Sequence, residues 1–161
     1  MRLIDHFIDG GTAGLANARK GAVMDPNNGG QQAEVVLGST DALERAVAAA
    51  SAAQPGWAAL NPQRRARVMF NFKALIERDM DDLAALLSSE HGKVIADSKG
   101  DIQRGLEVVE FCCGLPHVLK GEYSGGAGPG IDVTSLRQPI GIGAGITPFN
   151  FPAMKIGRAH V

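Results

Sequence analysis

Cysteine is scarce in this chain: only two of its 161 residues are cysteines, and these two are neighbours, Cys112 and Cys113. Adjacent cysteines do not close an ordinary structural disulfide, and two thiols cannot supply the four ligands of a structural zinc site. The sequence therefore predicts neither a disulfide framework nor a metal centre. Free thiols are typical of a reducing compartment, and we expect a cytoplasmic protein.

An excess of positive or negative charge is also absent, since the chain has 16 lysine and arginine residues and 17 aspartate and glutamate residues, and its net charge is -1. A protein without a basic cluster is not expected to bind nucleic acid or an anionic membrane surface. Long hydrophobic runs are missing too. The longest, residues 139–154, is shorter than a bilayer span and is rich in glycine and proline.

Strand and turn signals fill the first forty residues, where HFIDGG, DPNNGG and AEVVLG indicate short strands and glycine turns. Helical patterns follow. Four helices are predicted: from Ser39 or Thr40 to near Pro55 and Gly56, from Asn61 and Pro62 onward, from about Asp81 to Gly92, and from about Val94 to Leu119. The residues that spacing places inward are Leu43, Ala46, Val47 and Ala50; Val68, Phe72, Leu75 and Ile76; Leu83, Leu86 and Leu87; and Ile102, Leu106, Val109 and Cys113.

Two strands are predicted after the helices. IDVTSLRQ, residues 131–138, alternates like a half-exposed strand, and residues 140–146 are apolar throughout like a buried one. A strand buried on both faces needs neighbouring strands and covering helices, which later βα units supply in an α/β sheet. The order of elements therefore predicts an α/β fold that is the first part of a larger domain.

The glycines of GIGAG do not match the dinucleotide-binding fingerprint, because counting from Gly141 places Ile146 at the sixth position and no helix follows. ITPFNFP is more informative. Pro148 and Pro152 bracket Asn150 and restrict the backbone just past a strand end, where α/β proteins bind ligands. A rigid amide there suits an oxyanion hole. Alternatively, Asn150 caps a turn and the phenylalanines pack.

Five segments in this order resemble the N-terminal part of the aldehyde dehydrogenase superfamily: FIDGG, NPQRRARVMFNF, EHGK, DIQRGLEVVEFCC and ITPFNFP. Phe149, where most non-acylating relatives carry tryptophan, and DIQRG followed by EFCCG indicate the CoA-acylating methylmalonate-semialdehyde branch. The resemblance covers about residues 5–154. It implies that residues 1–155 are the N-terminal part of an NAD-binding α/β domain and include part of an oligomerisation arm at about 123–138.

The resemblance implies an NAD-dependent oxidation in which a cysteine thiohemiacetal becomes a thioester, which is released to coenzyme A with loss of the substrate carboxylate. Methylmalonate semialdehyde would give propionyl-CoA, and malonate semialdehyde would give acetyl-CoA. The intact enzyme would be a homo-oligomer. Two alternatives stay open: a non-acylating NAD(P)-dependent aldehyde dehydrogenase, and a non-catalytic helical binding module in which residues 141–154 must be covered.

The resemblance also assigns roles to residues. Asn150 would stabilise the oxyanion, and the backbone of Ile146, Thr147, Pro148 and Phe149 would line the NAD cleft. The planar donors of Arg104 match the substrate carboxylate, although a surface arginine paired with Asp101 or Glu107 is the alternative. Cys112 and Cys113 lie on an apolar helix stripe and are expected to pack, because the family's catalytic cysteine lies C-terminal to ITPFNFP.

The last six residues, IGRAHV, depart from the family pattern and resemble a translated sequencing adapter. We therefore expect residues 156–161 to be non-native and exclude them from reasoning about the fold; the alternative is a genuine short C-terminus. We also expect the 161-residue chain to be inactive by itself, because the segment with the family's catalytic cysteine is not in it.

Overall fold

The computed structural model describes residues 1–15 and 18–156. The first forty residues form two small sheets, as predicted. One has three strands in the order β1-β5-β4, with β1 parallel and β4 antiparallel to β5, and the other pairs β2 with β3. The strands are β1 (Arg2–Ile4), β2 (Phe7–Ile8), β3 (Gly11–Thr12), β4 (Lys20–Met24) and β5 (Gln31–Val36).

Helices make up most of the remaining described chain. They are α1 (Thr40–Ala59), α2 (Pro62–Arg78), α3 (Met80–His91), α4 (Ile95–Cys113), α5 (Leu115–Val118) and α6 (Pro152–Ile156). Between α5 and α6 the strands β6 (Tyr123–Gly128) and β7 (Ile131–Thr134) form an antiparallel hairpin. No helix in the described ranges is long and apolar enough to cross a membrane.

The predicted helix ends are confirmed where a local signal sets them. The Ser39 hydroxyl accepts a hydrogen bond from the Ala42 N–H at 3.1 Å, which caps α1. The Asn61 side chain accepts from the Gln63 N–H at 2.9 Å and from the next N–H of α2 at 3.2 Å. Gly92 ends α3 with a φ of 85°, a left-handed conformation that glycine adopts without a steric penalty.

Two predicted helix boundaries are wrong. Helix α1 passes through Pro55 and continues to Ala59, because proline removes one hydrogen bond of the helix but keeps a helical φ. The predicted long fourth helix ends at Cys113 and a separate short helix follows. Pro116 has no N–H to donate to the carbonyl of Cys112, and this interrupts the hydrogen-bond ladder there.

Helix α4 lies at the centre of the helical layer and packs against α2, α3 and α6. Its predicted apolar face is confirmed: Ile102, Leu106, Val109 and Cys113 are all buried. The other stripes are confirmed only in part. Leu43 and Val47 of α1 and Val68 and Leu75 of α2 are exposed, because no described element covers the side of each helix that carries them.

The buried strand predicted at residues 140–146 is wrong for the described chain. Residues 135–148 have no regular secondary structure, and the side chains of Ile140 and Ile146 are fully exposed, at 102% and 100%. A strand needs hydrogen-bonded neighbours, and the described residues supply none at this place. Of the predicted non-native tail, only the backbone of Ile156 is described, and residues 157–161 lie outside the described ranges.

Candidate active site

An open cleft of ≈ 400 Å³ lies between the first half of α4 and the turn that precedes α6. The N-terminal part of α4 contributes one wall, because residues three or four apart share a helix face. The turn contributes the other. The cleft is lined by Lys93, Ala96, Asp97, Gly100, Asp101, Arg104, Asn150 and Phe151.

Arg104 projects from the exposed side of α4, one turn after Asp101. Neither Asp101 nor Glu107, both within the described residues, forms an ion pair with it, so the alternative of a paired surface arginine is not supported. Its guanidinium carbon lies 5.7 Å from the centre of the Phe151 ring. The guanidinium is therefore close to an aromatic face and keeps donors available for an anion.

Asn150 is exposed in the turn before α6 and lines the same cleft as Arg104. The two residues are 46 positions apart in the chain. The fold therefore brings the uncharged amide of Asn150 and the permanently charged guanidinium of Arg104 to the same cleft. Such a pair suits a small molecule with a carboxylate at one end and a carbonyl at the other.

The four predicted cofactor residues do not line this cleft. They lie in the exposed segment that leads into the turn: Ile146, Thr147, Pro148 and Phe149. The side chain of Ile146 is fully exposed. The Phe149 ring stacks on His91, with 4.6 Å between ring centres and 23° between planes. The structure thus brings Arg104 and Asn150 together and leaves these four outside, so their cofactor role stays a prediction.

Sequence reasoning missed the ion pair between Lys93 and Asp101, two residues that line the cleft. The Lys93 ammonium donates to Asp101 Oδ2 at 2.9 Å, and the two side chains are 13% and 0% exposed. Asp101 Oδ1 accepts from the Met154 N–H at 2.8 Å, and Lys93 Nζ lies 4.4 Å over the Phe151 ring. One signal was present in the sequence: an aspartate stands beside Ile102 on the apolar face of α4.

The prediction that Cys112 and Cys113 are packing residues is confirmed, since they are 2% and 9% exposed. Burial raises the pKa of both thiols, and the Cys113 thiol donates to the carbonyl of Val109 at 3.4 Å. Neither thiol lines the cleft. A nucleophilic cysteine must form a thiolate, so neither is suited to that role here. The described residues also contain no cluster of three or more side chains able to hold a metal ion.

The chain was compared with models of known protein families. The model of the aldehyde dehydrogenase family matches residues 15–161. The chain belongs to the aldehyde dehydrogenase family. Its small N-terminal sheets, its helical layer and the PFNFP turn are therefore the N-terminal part of an aldehyde dehydrogenase fold, and the α/β fold class predicted from the sequence is confirmed.

Individual relatives of this aldehyde dehydrogenase chain are similar over nearly its whole length. A malonate-semialdehyde dehydrogenase from Pseudomonas aeruginosa is 44% identical over 96% of the chain. Two solved structures of methylmalonate-semialdehyde dehydrogenases both have a TM-score of 0.92 and match 98% of the chain: one from Sinorhizobium meliloti, in complex with NAD, at 54% identity, and one from Oceanimonas doudoroffii at 46%. The chain spans 31% of the first relative and 32% of each solved chain.

Proposed function

We propose that this chain is the N-terminal part of an enzyme that oxidises methylmalonate semialdehyde, and also malonate semialdehyde, with NAD and transfers the acyl group to coenzyme A. The products are propionyl-CoA and acetyl-CoA, formed with loss of the substrate carboxylate. The observation that carries this proposal is that Arg104 and Asn150 line one cleft. The names of the similar proteins from three bacteria support the same substrate class.

A semialdehyde of this class has a carboxylate and an aldehyde separated by one carbon. The carboxylate would accept hydrogen bonds from Arg104, whose guanidinium stays charged at any physiological pH. The aldehyde oxygen would then lie near the Asn150 amide, whose N–H groups stabilise negative charge as a nucleophile adds to the carbonyl carbon. Holding both ends fixes the orientation of the aldehyde carbon, which favours attack from one direction.

NAD would be held by Ile146, Thr147, Pro148 and Phe149, and it would supply the acceptor for the hydride. The residues fit a cofactor because residues 136–148 form no ladder, and the backbone N–H and C=O groups of Ile146 and Thr147 make no backbone hydrogen bond within the described residues, so they can bind a ligand. Ile146 adds an uncovered apolar surface for a flat ring. The Sinorhizobium meliloti relative is described in complex with NAD, which supports the choice of cofactor.

The nucleophilic thiol is proposed to come from the C-terminal part of the full-length enzyme. Cys112 and Cys113 are buried in α4 with raised pKa values, outside the cleft. We expect the 161-residue chain alone to produce no NADH. A binding module without chemistry is less well supported, because it would have to cover residues 141–154, and Ile146 and Phe149 are 100% and 79% exposed.

The hairpin of β6 and β7 is proposed to belong to an oligomerisation arm at about residues 123–138. Both strands are exposed, and Tyr123, Ile131 and Val133 present apolar surface. A short exposed ribbon of this kind has free edges that a second subunit can pair with. A homo-oligomer in the cytoplasm is therefore part of the proposal, and the free, buried cysteines are compatible with a reducing compartment.

The proposed function can be tested in a chimaera in which residues 1–154 of this chain replace the matching segment of the Sinorhizobium meliloti relative. High identity and similar backbone geometry in the replaced segment favour folding of the chimaera. The assay measures NADH and acyl-CoA formation from methylmalonate semialdehyde with and without coenzyme A. The isolated 161-residue chain serves as the control without a thiol nucleophile.

We expect CoA-dependent formation of propionyl-CoA by the chimaera and no NADH from the chain alone. NADH formation with release of a free acid in the absence of coenzyme A would instead support the non-acylating alternative. A folded chimaera without activity on either semialdehyde would contradict the proposed substrate class. Turnover by the isolated chain would contradict the proposed origin of the thiol.

A further inference from the structure

Asp101 is a charged residue in a place that usually excludes charge. It lies on the buried face of α4 between Ser98 and Ile102, and its side chain is 0% exposed. A buried carboxylate is retained only where opposite charge and hydrogen bonds replace the lost water. Asp101 has both, and they connect three parts of the chain.

One carboxylate oxygen of Asp101 binds the loop after α3, and the other binds the first turn of α6. Oδ2 accepts from the Lys93 ammonium at 2.9 Å, and Oδ1 accepts from the Met154 N–H at 2.8 Å. The first N–H groups of a helix have no partner within the helix, so the carboxylate satisfies a donor that would otherwise be unpaired. Lys93 in turn lies 4.4 Å over the ring of Phe151, the residue directly after Asn150.

We propose that Asp101 is the positioning residue of the active site: through Lys93 and the Met154 N–H it fixes the turn that presents the Asn150 amide to the substrate. The proposal rests on the proposed role of Asn150. Asp101 itself does not touch the reacting carbonyl; it holds the backbone on the C-terminal side of Asn150, while Pro148 restricts the backbone on the other side. A displacement of about 1 Å in such a donor can lower a rate by about a hundredfold.

Asp101→Asn is a sharp test because it nearly preserves shape and removes one acceptor. Aspartate presents two acceptor oxygens to two donors, whereas asparagine presents one oxygen and an NH₂ group. When that oxygen faces the Lys93 ammonium, the NH₂ group points at the Met154 N–H, and two donors face each other. Asp81→Asn is the matched control, since Asp81 of α3 forms an exposed ion pair at 2.6 Å with Lys99, which lies in α4 like Asp101.

The first readout is hydrogen exchange in the 161-residue chain, which does not depend on activity. We expect Asp101→Asn to speed exchange of the Met154 amide by about tenfold or more, while the amides of Leu106 and Val109 in the centre of α4 keep their rates. Asp81→Asn should change neither set. An unchanged Met154 rate, or an equal acceleration at all three amides, would overturn the positioning role.

The second readout is steady-state kinetics of the chimaera, with rates corrected for the folded fraction. Asp101→Asn should lower kcat by about tenfold to a hundredfold and change KM by less than about threefold, because oxyanion contacts act in the transition state. Asp101→Glu, which keeps two acceptors, should recover part of the loss. An equal loss in Asp101→Glu and Asp101→Asn would count against the proposal.

The two proposals fail separately. If Asn150→Ala leaves the kcat of the chimaera unchanged, the proposed function of Asn150 is wrong. Exchange at Met154 still decides whether Asp101 fixes the turn. If instead Asn150→Ala abolishes activity and Asp101→Asn does not change kcat, the function stands and the positioning role is wrong.

Discussion

Gly105 of α4 and Ala153 of α6 approach so closely that a Cβ atom at position 105 would lie 2.7 Å from the Ala153 carbonyl oxygen. That distance is shorter than any ordinary contact of a methyl group with a carbonyl oxygen, and the obstacle is backbone, which cannot rotate away. Gly105 is therefore required for the contact of α4 with the segment that follows Asn150. A larger residue must push α6 away from α4.

Gly105→Ala should destabilise the chain by about 1–3 kcal/mol, the usual cost of overpacking a buried contact. Gly100 offers the matched control, because it lies in the same helix and a Cβ there meets nothing within 4 Å. Gly100→Ala should stabilise the chain by about 0.5–1 kcal/mol through the higher helix propensity of alanine. Urea unfolding of both variants measures the difference, and similar effects at the two positions would contradict the close contact.

Arg104→Met should change substrate choice rather than general activity. In the chimaera, we expect kcat/KM for methylmalonate semialdehyde to fall by about tenfold to a hundredfold, because a hydrogen bond to a charged group contributes about 1.5–3 kcal/mol. Propionaldehyde has no carboxylate, so its kcat/KM should stay within about threefold. Arg67→Met, at an exposed position of α2, is the control. An equal loss of kcat/KM for both substrates would show that Arg104 does not bind the substrate carboxylate.

Local signals predicted part of this molecule from its sequence. The sequence predicted helix starts at Ser39 or Thr40 and at Asn61, and the structure shows Ser39 and Asn61 as the caps, because a cap depends on hydrogen bonds to residues two or three positions away. The Gly92 helix end was predicted for the same reason. Burial was harder to predict. Leu43 has the spacing of an apolar helix face but is 64% exposed, because spacing shows which residues share a face of the helix and does not show whether another element packs against that face.

The candidate site was predictable only in its separate parts. Arg104 and Asn150 were selected individually, from a resemblance and from the chemistry of their side chains, and the fold places them in one cleft. The bond between Asp101 and Met154 joins residues 53 positions apart, and no local pattern encodes such a contact. Long-range polar contacts therefore had to come from the structure.

The pH dependence of the β6–β7 hairpin should follow Asp132. Its carboxylate accepts from the Gly126 N–H at 2.8 Å and from the Tyr123 hydroxyl at 2.7 Å, and these bonds lower its pKa below the ordinary value of 3.8. A lowered pKa in the folded state adds stability above the unfolded value, which is lost as the pH falls through the folded value.

We therefore expect the amide NMR signal of Gly126 to shift in acid with a midpoint below pH 3.8, and Asp132→Asn to remove that transition. The amide of Gly130, at the turn of the same hairpin, is the internal reference. A transition above the ordinary pKa of an aspartate would mean that the carboxylate gains nothing from these bonds.

The two cysteines should make the chain less stable in alkali. Burial raises the pKa of Cys112 and Cys113 above the ordinary 9.0, so the folded state holds their protons to higher pH than the unfolded state does. Stability from this source is complete below the unfolded pKa and is lost as the pH rises through the folded one. The free energy of unfolding in urea should therefore fall as the pH passes 9.0.

The Cys112→Ala/Cys113→Ala double variant isolates the thiol contribution, because lysine and tyrosine residues titrate in the same range. Its unfolding free energy should start lower at neutral pH, since each change leaves a small cavity, and should fall less steeply in alkali. Iodoacetamide gives a second measure: the native thiols should react slowly at neutral pH and quickly after unfolding in urea. Fast alkylation of the native chain would mean that a thiol is accessible as a thiolate, and Cys112 or Cys113 would then become a candidate nucleophile.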